Sequence, residues 1–417
     1  MDKQRLLERF LSYVQVDTTA NESTTEYPSS AGQWELGKQL VAELQQMGYE
    51  DAHQDEHALV WVTIPSTLSQ DSPTIAFNAH LDTSPETTGK NVQPQVIEAY
   101  EGGDISLPAS PDRIIRVSEN PELDSLVGKT IVTTDGTTLL GGDDKAGVAI
   151  MMQLAETLAV NPGIPHGPIK LLFTCDEEIG RGIDHVDFNK LGATACYTLD
   201  GGGANDIDVE TFSADMAIVT VTGVNIHPSI GKDRLVNAVR AAADFLERLP
   251  KDLSPERTDD REGFVHPYHV EGGVAEVTIR LILRDFDTPR LSEYATLLSN
   301  VAQEVMTSWK WTTIDVEIKK QYRNLGDGLR AEPRAAGYAK IAHQRLDRPY
   351  RTSIIRGGTD GSQMTERGLP TPNLSSGQHN PHSPLEWACL DEMLAAGEVC
   401  LELIQVWSEQ PALDSAE

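Results

Sequence analysis

Cysteine is scarce in this chain: Cys175, Cys196, Cys389 and Cys400 are the only four in 417 residues, and no two form a CxxC pair. Each sits in an apolar stretch, which argues against a disulfide framework or a cysteine-based metal site and for buried thiols in a reducing compartment. Basic residues are also few. With 34 Lys and Arg against 64 Asp and Glu, the net charge is -30, which would repel nucleic-acid phosphates and an anionic membrane surface, so neither partner is expected. The plain meaning of such a charge is solubility. Long apolar runs are missing, and nothing is of a length to span a bilayer. The opening MDKQRLLERFLSYVQVD carries charges throughout, with Leu6, Phe10, Leu11 and Val14 at helical spacing, unlike the unbroken apolar segment of a signal peptide. A cytoplasmic location is therefore the expectation. No internal repeat or low-complexity segment is evident, and only the tail after Trp407 reads as mobile.

What is present is length enough for more than one core. At 417 residues and 39% hydrophobic content the chain reads as a globular protein of two domains. Its first half alternates helix and strand signals. Leu36, Leu40, Val41, Leu44 and Met47 make a helical stripe stopped by Gly48. TIAFNAHLD, TIVTTDG, IKLLFTCDEE and ATACYTLDGG are short apolar runs ending in Gly or acidic residues, the pattern of buried strands in an α/β sheet. Between them, Val148, Met151, Met152, Ala155 and Leu158 share one face of a predicted helix. From about Phe212 the order becomes β-α-β-β-α-β, which a ferredoxin-like unit would give, with a helix predicted over KDRLVNAVRAAADFLERL. From about Asn324 the α/β signals return. The expected organisation is a split α/β domain, 1–211 and 324–417, with an α+β domain inserted at 212–323.

Five short motifs carry the chemistry: AHLD with His80 and Asp82, GGDDK with Asp143, CDEE with Glu177 and Glu178, LDGG with Asp200, and NPHSP with His382. Each alone has an ordinary structural reading, as a polar strand end, an acidic helix cap, solvated glutamates, an Asp-Gly turn or a loop histidine. Together they supply two imidazoles and several carboxylates, and His80, Glu177, Glu178 and Asp200 all fall at carboxyl ends of predicted strands, where α/β sheets gather their ligands. His80 and Asp82 share a face of an extended strand, so Asp82 is placed to accept the second ring N–H of a metal-binding His80. Asp143 in its glycine turn is suited to bridge two cations with its two oxygens. Of the adjacent Glu177 and Glu178, one would bind metal and the other act as base.

At this point the residues carry a family resemblance. AHLDT, GGDDKAG, DEEIGRG, DGGG and HSPLEW resemble the M20 metallopeptidases, while NAHLDTSPETTGKN, TTLLGGDDKAG, EGGDI, GVNIHPSIGK, LRDFD and IRGGTDGSQ are similar to the tripeptide aminopeptidases of that family. The resemblance runs from the first helix to the last. It implies a zinc-exopeptidase-like catalytic domain, a mixed sheet flanked by helices, with an inserted ferredoxin-like lid and dimerisation domain. It further implies two Zn²⁺ per subunit, one held by His80, Asp143 and Asp200 and the other by Asp143, Glu178 and His382, with Asp82 orienting His80 and Glu177 as general base. His227 would stabilise the oxyanion in the active site of the other subunit of a homodimer. Arg284 and Arg356 would anchor a small peptide substrate, with Gly357 and Gly358 allowing close backbone approach. Two strings depart from the similar sequences: GGDDK stands for GADDK, and HSPLEW lacks a basic residue after the histidine. Neither touches a ligand, though the second bears on substrate preference. The alternatives are another M20-type amidohydrolase, a dipeptidase or N-acyl-amino-acid deacylase, and, more remotely, a non-catalytic acidic metal-binding protein.

Overall fold

The computed structural model describes residues 1–410. The chain divides into two compact units, one formed by Met1–Val209, Gly328–Ser353 and the stretch from Thr359 onward, the other by Glu210–Asp327 with Ile354–Gly358. The short return 354–358, which carries Arg356, thus belongs with the second unit. No described helix is long and apolar enough to cross a membrane. The final helix, Leu390–Glu409, runs past Trp407, so the segment expected to be mobile begins as helix. The rest of that tail lies outside the described residues.

In the first unit a mixed sheet is centred on parallel strands. Ile75–His80 pairs in parallel with both Ile169–Thr174 and Ala195–Gly202, and Asn373–His379 adds to the latter, also in parallel. Val60–Ile64 and Trp387–Cys389 extend the sheet antiparallel. All six residues of Ile75–His80 are buried, as expected of a strand covered on both faces. The register Ile75↔Ile169 through His80↔Thr174 brings the ends of these two strands level, so His80 and the 175–178 loop leave the sheet side by side. Helix Gly142–Val160 packs on this sheet. A single apolar stripe was expected there, but the helix is buried nearly all round, from Asp144 to Ala155 without a break. Its small residues, Ala146, Gly147 and Ala149, permit this by letting neighbouring backbone close in; a Cβ at Gly147 would lie 2.2 Å from the Leu199 carbonyl oxygen.

The second unit is a four-stranded antiparallel sheet in the order Phe264–Gly272, Glu276–Asp285, Ser213–Thr222, Thr313–Tyr322, with helices Ala238–Arg248 and Thr288–Ser308. The chain order is β-α-β-β-α-β. Alternate residues of Glu276–Asp285 are buried, as when helices cover one sheet face. The core they enclose includes Val219, Val221, Phe245, Ile279, Leu281 and Leu298. The first helix starts later than the periodicity of 232–249 predicts. Asn237 accepts a bond from the Val239 N–H and so sets the N-terminus at Ala238, while Val236 pairs with Val224 in an isolated bridge.

Candidate metal centre

His80 closes its strand fully buried, its Nε2 3.0 Å from Oδ1 of Asp143. The other oxygen of Asp143, Oδ2, lies 3.3 Å from Nε2 of His382. One carboxylate therefore faces an imidazole on each side. His382 Nε2 also lies 2.9 Å from Oε2 of Glu178, and His80 Nε2 has Asp200 Oδ1 at 3.9 Å and Glu177 Oε2 at 4.0 Å. The structure thus brings His80, Asp143, Glu177, Glu178, Asp200 and His382 together, although they come from five separate stretches of sequence.

Asp82 is placed more richly than its spacing indicates. Its Oδ1 is 3.4 Å from His80 Nδ1, and its backbone carbonyl is nearer, at 3.2 Å. The same carboxylate accepts the Glu177 N–H on Oδ1 and the Glu178 N–H on Oδ2, each at 3.1 Å. Asp82 therefore positions both glutamates as well as the imidazole. The preceding residue, Asp176, is buried at a φ of 60 and accepts bonds from Gln33 Nε2, at 2.7 Å, and from Ser29. The strand-end loop is fastened on both sides.

The electrostatics follow from many carboxylates meeting in a buried space. Burial raises the Glu177 and Asp200 carboxyls well above the usual range, and neighbouring acids, Asp360 for Glu177 and Asp143 for Asp200, add to it. Burial, then the charge of Asp143, pushes Glu178 up to about 7. Asp143 goes the other way. Burial opposes its ionisation, but the bonds from His382 and His80 outweigh burial and hold it below the usual range. The converse holds for His382, which burial disfavours as a cation but Asp143 and Glu178 lift to about 11. A divalent cation between these groups would offset the repulsion that burial creates.

Among the described residues, two groups can present ligand atoms to one ion: His80 with Asp143 and Glu178, and His80 with Asp144 and Asp200. Asp144 was not anticipated as a member. Its Oδ2 accepts the His80 backbone N–H at 3.1 Å and its Oδ1 the Gly147 N–H at 3.3 Å, so it is engaged in holding the loop, whereas Asp143 has both oxygens turned to imidazoles. Glu178 gives an independent sign of fit: its Oε1 is buried with no hydrogen-bond partner. A buried carboxylate oxygen left unpaired is costly unless a cation takes it. The donor set, imidazole with carboxylate, suits zinc-like ions.

Three further groups escaped the sequence reading. Gln378 donates through Nε2 to Asp200 Oδ1 at 3.0 Å. Asp360 is buried and accepts the Thr174 hydroxyl at 2.6 Å. Glu386 is buried against the loop that bears Asp143. Its sequence signal was available, a carboxylate four residues after His382 in the apolar setting PLEWACL.

His227, Arg284 and Arg356 belong to the second unit. His227 is exposed, with Nδ1 2.7 Å from Ser229 Oγ at the mouth of a short turn. Arg284 is half-buried, donates to the Asp215 and Leu283 carbonyls at 3.2 and 3.0 Å, and lies over the Tyr322 ring. Arg356 donates to the carbonyls of Asp260, Glu262 and Thr258 at 2.8, 2.9 and 3.2 Å and sits over Phe212 and Phe264.

Comparison with known proteins identifies the family. The model of "Peptidase family M20/M25/M40" matches residues 141–406. A peptidase T of Geobacillus thermodenitrificans is 40% identical over 408 residues, covering 98% of this chain and 99% of the relative. A peptidase T of Listeria welshimeri is 41% identical over 408 residues, covering 98% and 100%. In fold, the chain is similar to aminopeptidase PepT from Bacillus cereus, with a TM-score of 0.75 at 23% identity and coverage of 98% and 99%. It is also similar to a tripeptidase from Staphylococcus aureus, with a TM-score of 0.76 at 22% identity and coverage of 98% and 100%. A dinuclear metal-binding M20 peptidase of Bacillus subtilis shares the fold at a TM-score of 0.65 and 15% identity, with 98% of each chain covered. With the match to the family model and two relatives at 40% identity or more along nearly the whole length, this chain belongs to peptidase family M20/M25/M40, among its peptidase T members.

Proposed function

We propose that the chain is a two-zinc aminopeptidase that removes the N-terminal residue from tripeptides. The observation that carries the metal reading is Asp143, with one oxygen turned to His80 and the other to His382. On this reading His80, Asp143 and Asp200 hold one ion and Asp143, Glu178 and His382 the other. Bound zinc would polarise the scissile carbonyl and make the attacking water more acidic. Glu177 is the general base: it accepts the proton of that water and returns it to the leaving amine. Burial raises its carboxyl well above the usual range, which makes it a stronger acceptor for that proton. Asp82 keeps Glu177 in place through the backbone bond at 3.1 Å.

His227, Arg284 and Arg356 contact the substrate on this proposal, since a guanidinium fork matches a peptide carboxylate. Arg356 would do so by exchanging carbonyl partners. The tripeptide length is taken from the peptidase T relatives. A homodimer is supported by strand Phe264–Gly272, which among the described residues pairs only with Glu276–Asp285 and leaves Tyr268 and Val270 49% and 51% exposed. The four buried free cysteines are in keeping with a cytoplasmic location.

The test is a substrate panel with the zinc-loaded protein: a tripeptide, its N-acetylated form, a dipeptide and a tetrapeptide. Cleavage of the free tripeptide alone is the expected result. Preference for the acetylated peptide would replace this reading with a deacylase, preference for the dipeptide with a dipeptidase, and no turnover with no tight zinc would leave a non-catalytic protein.

A further inference from the structure

The loop that carries Asp143 is folded around another carboxylate. Glu386, 1% exposed, accepts the N–H groups of Leu140 and Gly141 on Oε2, both at 2.8 Å, and the N–H of Asp143 on Oε1 at 3.0 Å. Gly141 has a φ of 82, a left-handed turn that lets neighbouring N–H groups converge on one anion. Packing at the next residue is tight, since a Cβ at Gly142 would lie 3.1 Å from Oε1. Glu386 is also four residues beyond His382, whose ring is 3.3 Å from Asp143 Oδ2. One side chain therefore ties the loop of Asp143 to the segment of His382.

We propose that Glu386 is a positioning residue: it sets the Asp143 carboxylate between the His80 and His382 imidazoles, and through Asp143 it controls binding of the second metal ion and turnover. This rests on Asp143 as the bridging ligand. A carboxylate is required because three N–H donors converge on its two oxygens. A glutamine would offer one acceptor oxygen and turn an NH₂ group toward donors, breaking at least one end of the clamp.

The test compares three full-length proteins, wild type, Asp143→Asn and Glu386→Gln, by Co²⁺ titration followed in the visible spectrum and by kcat and KM on a tripeptide. Wild type takes up two Co²⁺, and Asp143→Asn loses that stoichiometry. Glu386→Gln binds one of the two ions about 10- to 100-fold more weakly, with an altered spectrum, and its kcat falls by a similar factor while KM stays within about twofold. A folded Glu386→Gln with wild-type titration, spectrum and kcat beside a defective Asp143→Asn overturns the role of Glu386 alone. A wild type that binds fewer than two ions, or an Asp143→Asn variant that binds like wild type, overturns the bridging role and this proposal with it. Should Glu386→Gln not fold, Gly142→Ala replaces it, because Gly142 is not in the left-handed region and its added Cβ presses on Oε1. A weakened second ion in that variant supports the clamp, and an unchanged spectrum and kcat overturn it.

Discussion

In the first unit Asp82, Asp144, Asp176, Asp360 and Glu386 are all buried, and much of what surrounds them is more acid or backbone N–H. In the second unit Val219, Val221, Phe245, Ile279 and Leu281 make an apolar core, and the buried acids Asp285 and Asp215 have Tyr294 and Arg323 as direct partners. Its other ion pairs, such as Arg248 with Glu304 and Lys251 with Glu247, lie near the surface, where they add little. The contrast separates two uses of burial. A ferredoxin-like sheet is stabilised by removing apolar area from water. A cluster of like charges in a buried site opposes folding and marks a place organised for chemistry.

The sharpest way to break the comparison is to remove one acid that the fold does not need. Glu177→Gln should lower kcat about 10²- to 10⁴-fold, the range for losing a general base, with Co²⁺ stoichiometry as in wild type. Undiminished turnover would place the base elsewhere. Next in size is a cavity in the other unit. Phe245 is fully buried, and Phe245→Ala should destabilise the second unit by about 3–5 kcal/mol in denaturant unfolding. Metal affinity of the folded protein should not change. A Co²⁺ titration weakened as much as in a ligand variant would show that the two units are not independent.

Metal itself discriminates between the units. Zinc at about 100 to 1,000 times its Kd should stabilise the folded state by about 3–4 kcal/mol. Amide exchange in Ile75–His80 and the 175–178 loop should slow, while exchange in Ser213–Thr222 and Glu276–Asp285 should not. Equal protection of both would argue that zinc binds outside the carboxylate cluster.

The same contrast explains what could be read in the sequence. The second unit was legible as topology, because alternating apolar positions and helix periods are local signals; its first helix starts later than the periodicity implies, where Asn237 caps it although apolar positions reach back to Leu235, and the return of 354–358 to this unit has no local signal. The residues of the cluster were legible as types, His80, Glu177, Glu178 and Asp200 at strand ends and Asp143 and His382 in a turn and a loop. Their supporting acids were not. Asp144, Asp360 and Glu386 look like ordinary surface carboxylates until the backbone donors and hydroxyl that hold them are known, and those come from residues 64, 186 and 246 positions away. Helix Gly142–Val160 reads as amphipathic because periodicity ranks large apolar residues, while Ala and Gly on the other faces carry the close packing.

Asp360 gives the smallest effect and the most specific pH signature. Its Oδ2 accepts the Thr174 hydroxyl, but Oδ1 is buried without a partner, and a Cβ at Gly182 would lie only 1.9 Å from it. Burial lifts the carboxyl to about 6, with the Thr174 bond pulling the other way. Below pH 4 the group is protonated in folded and unfolded chains alike. Between about 4 and 6 the unfolded chain releases its proton while the folded chain keeps it, so this group's contribution to stability falls as pH rises and is lost above about 6. Asp360→Asn removes the charge. At neutral pH that relieves about 3 kcal/mol by linkage, less about 1 kcal/mol for an amide N–H with no partner, a net gain of about 2 kcal/mol in the metal-free protein. Unfolding of both proteins from pH 4 to 8 should show their difference changing steadily between about pH 4 and 6 and then levelling. A constant difference across that range would mean that Asp360 is ionised in the folded chain throughout, held by a counter-charge rather than opposed by burial.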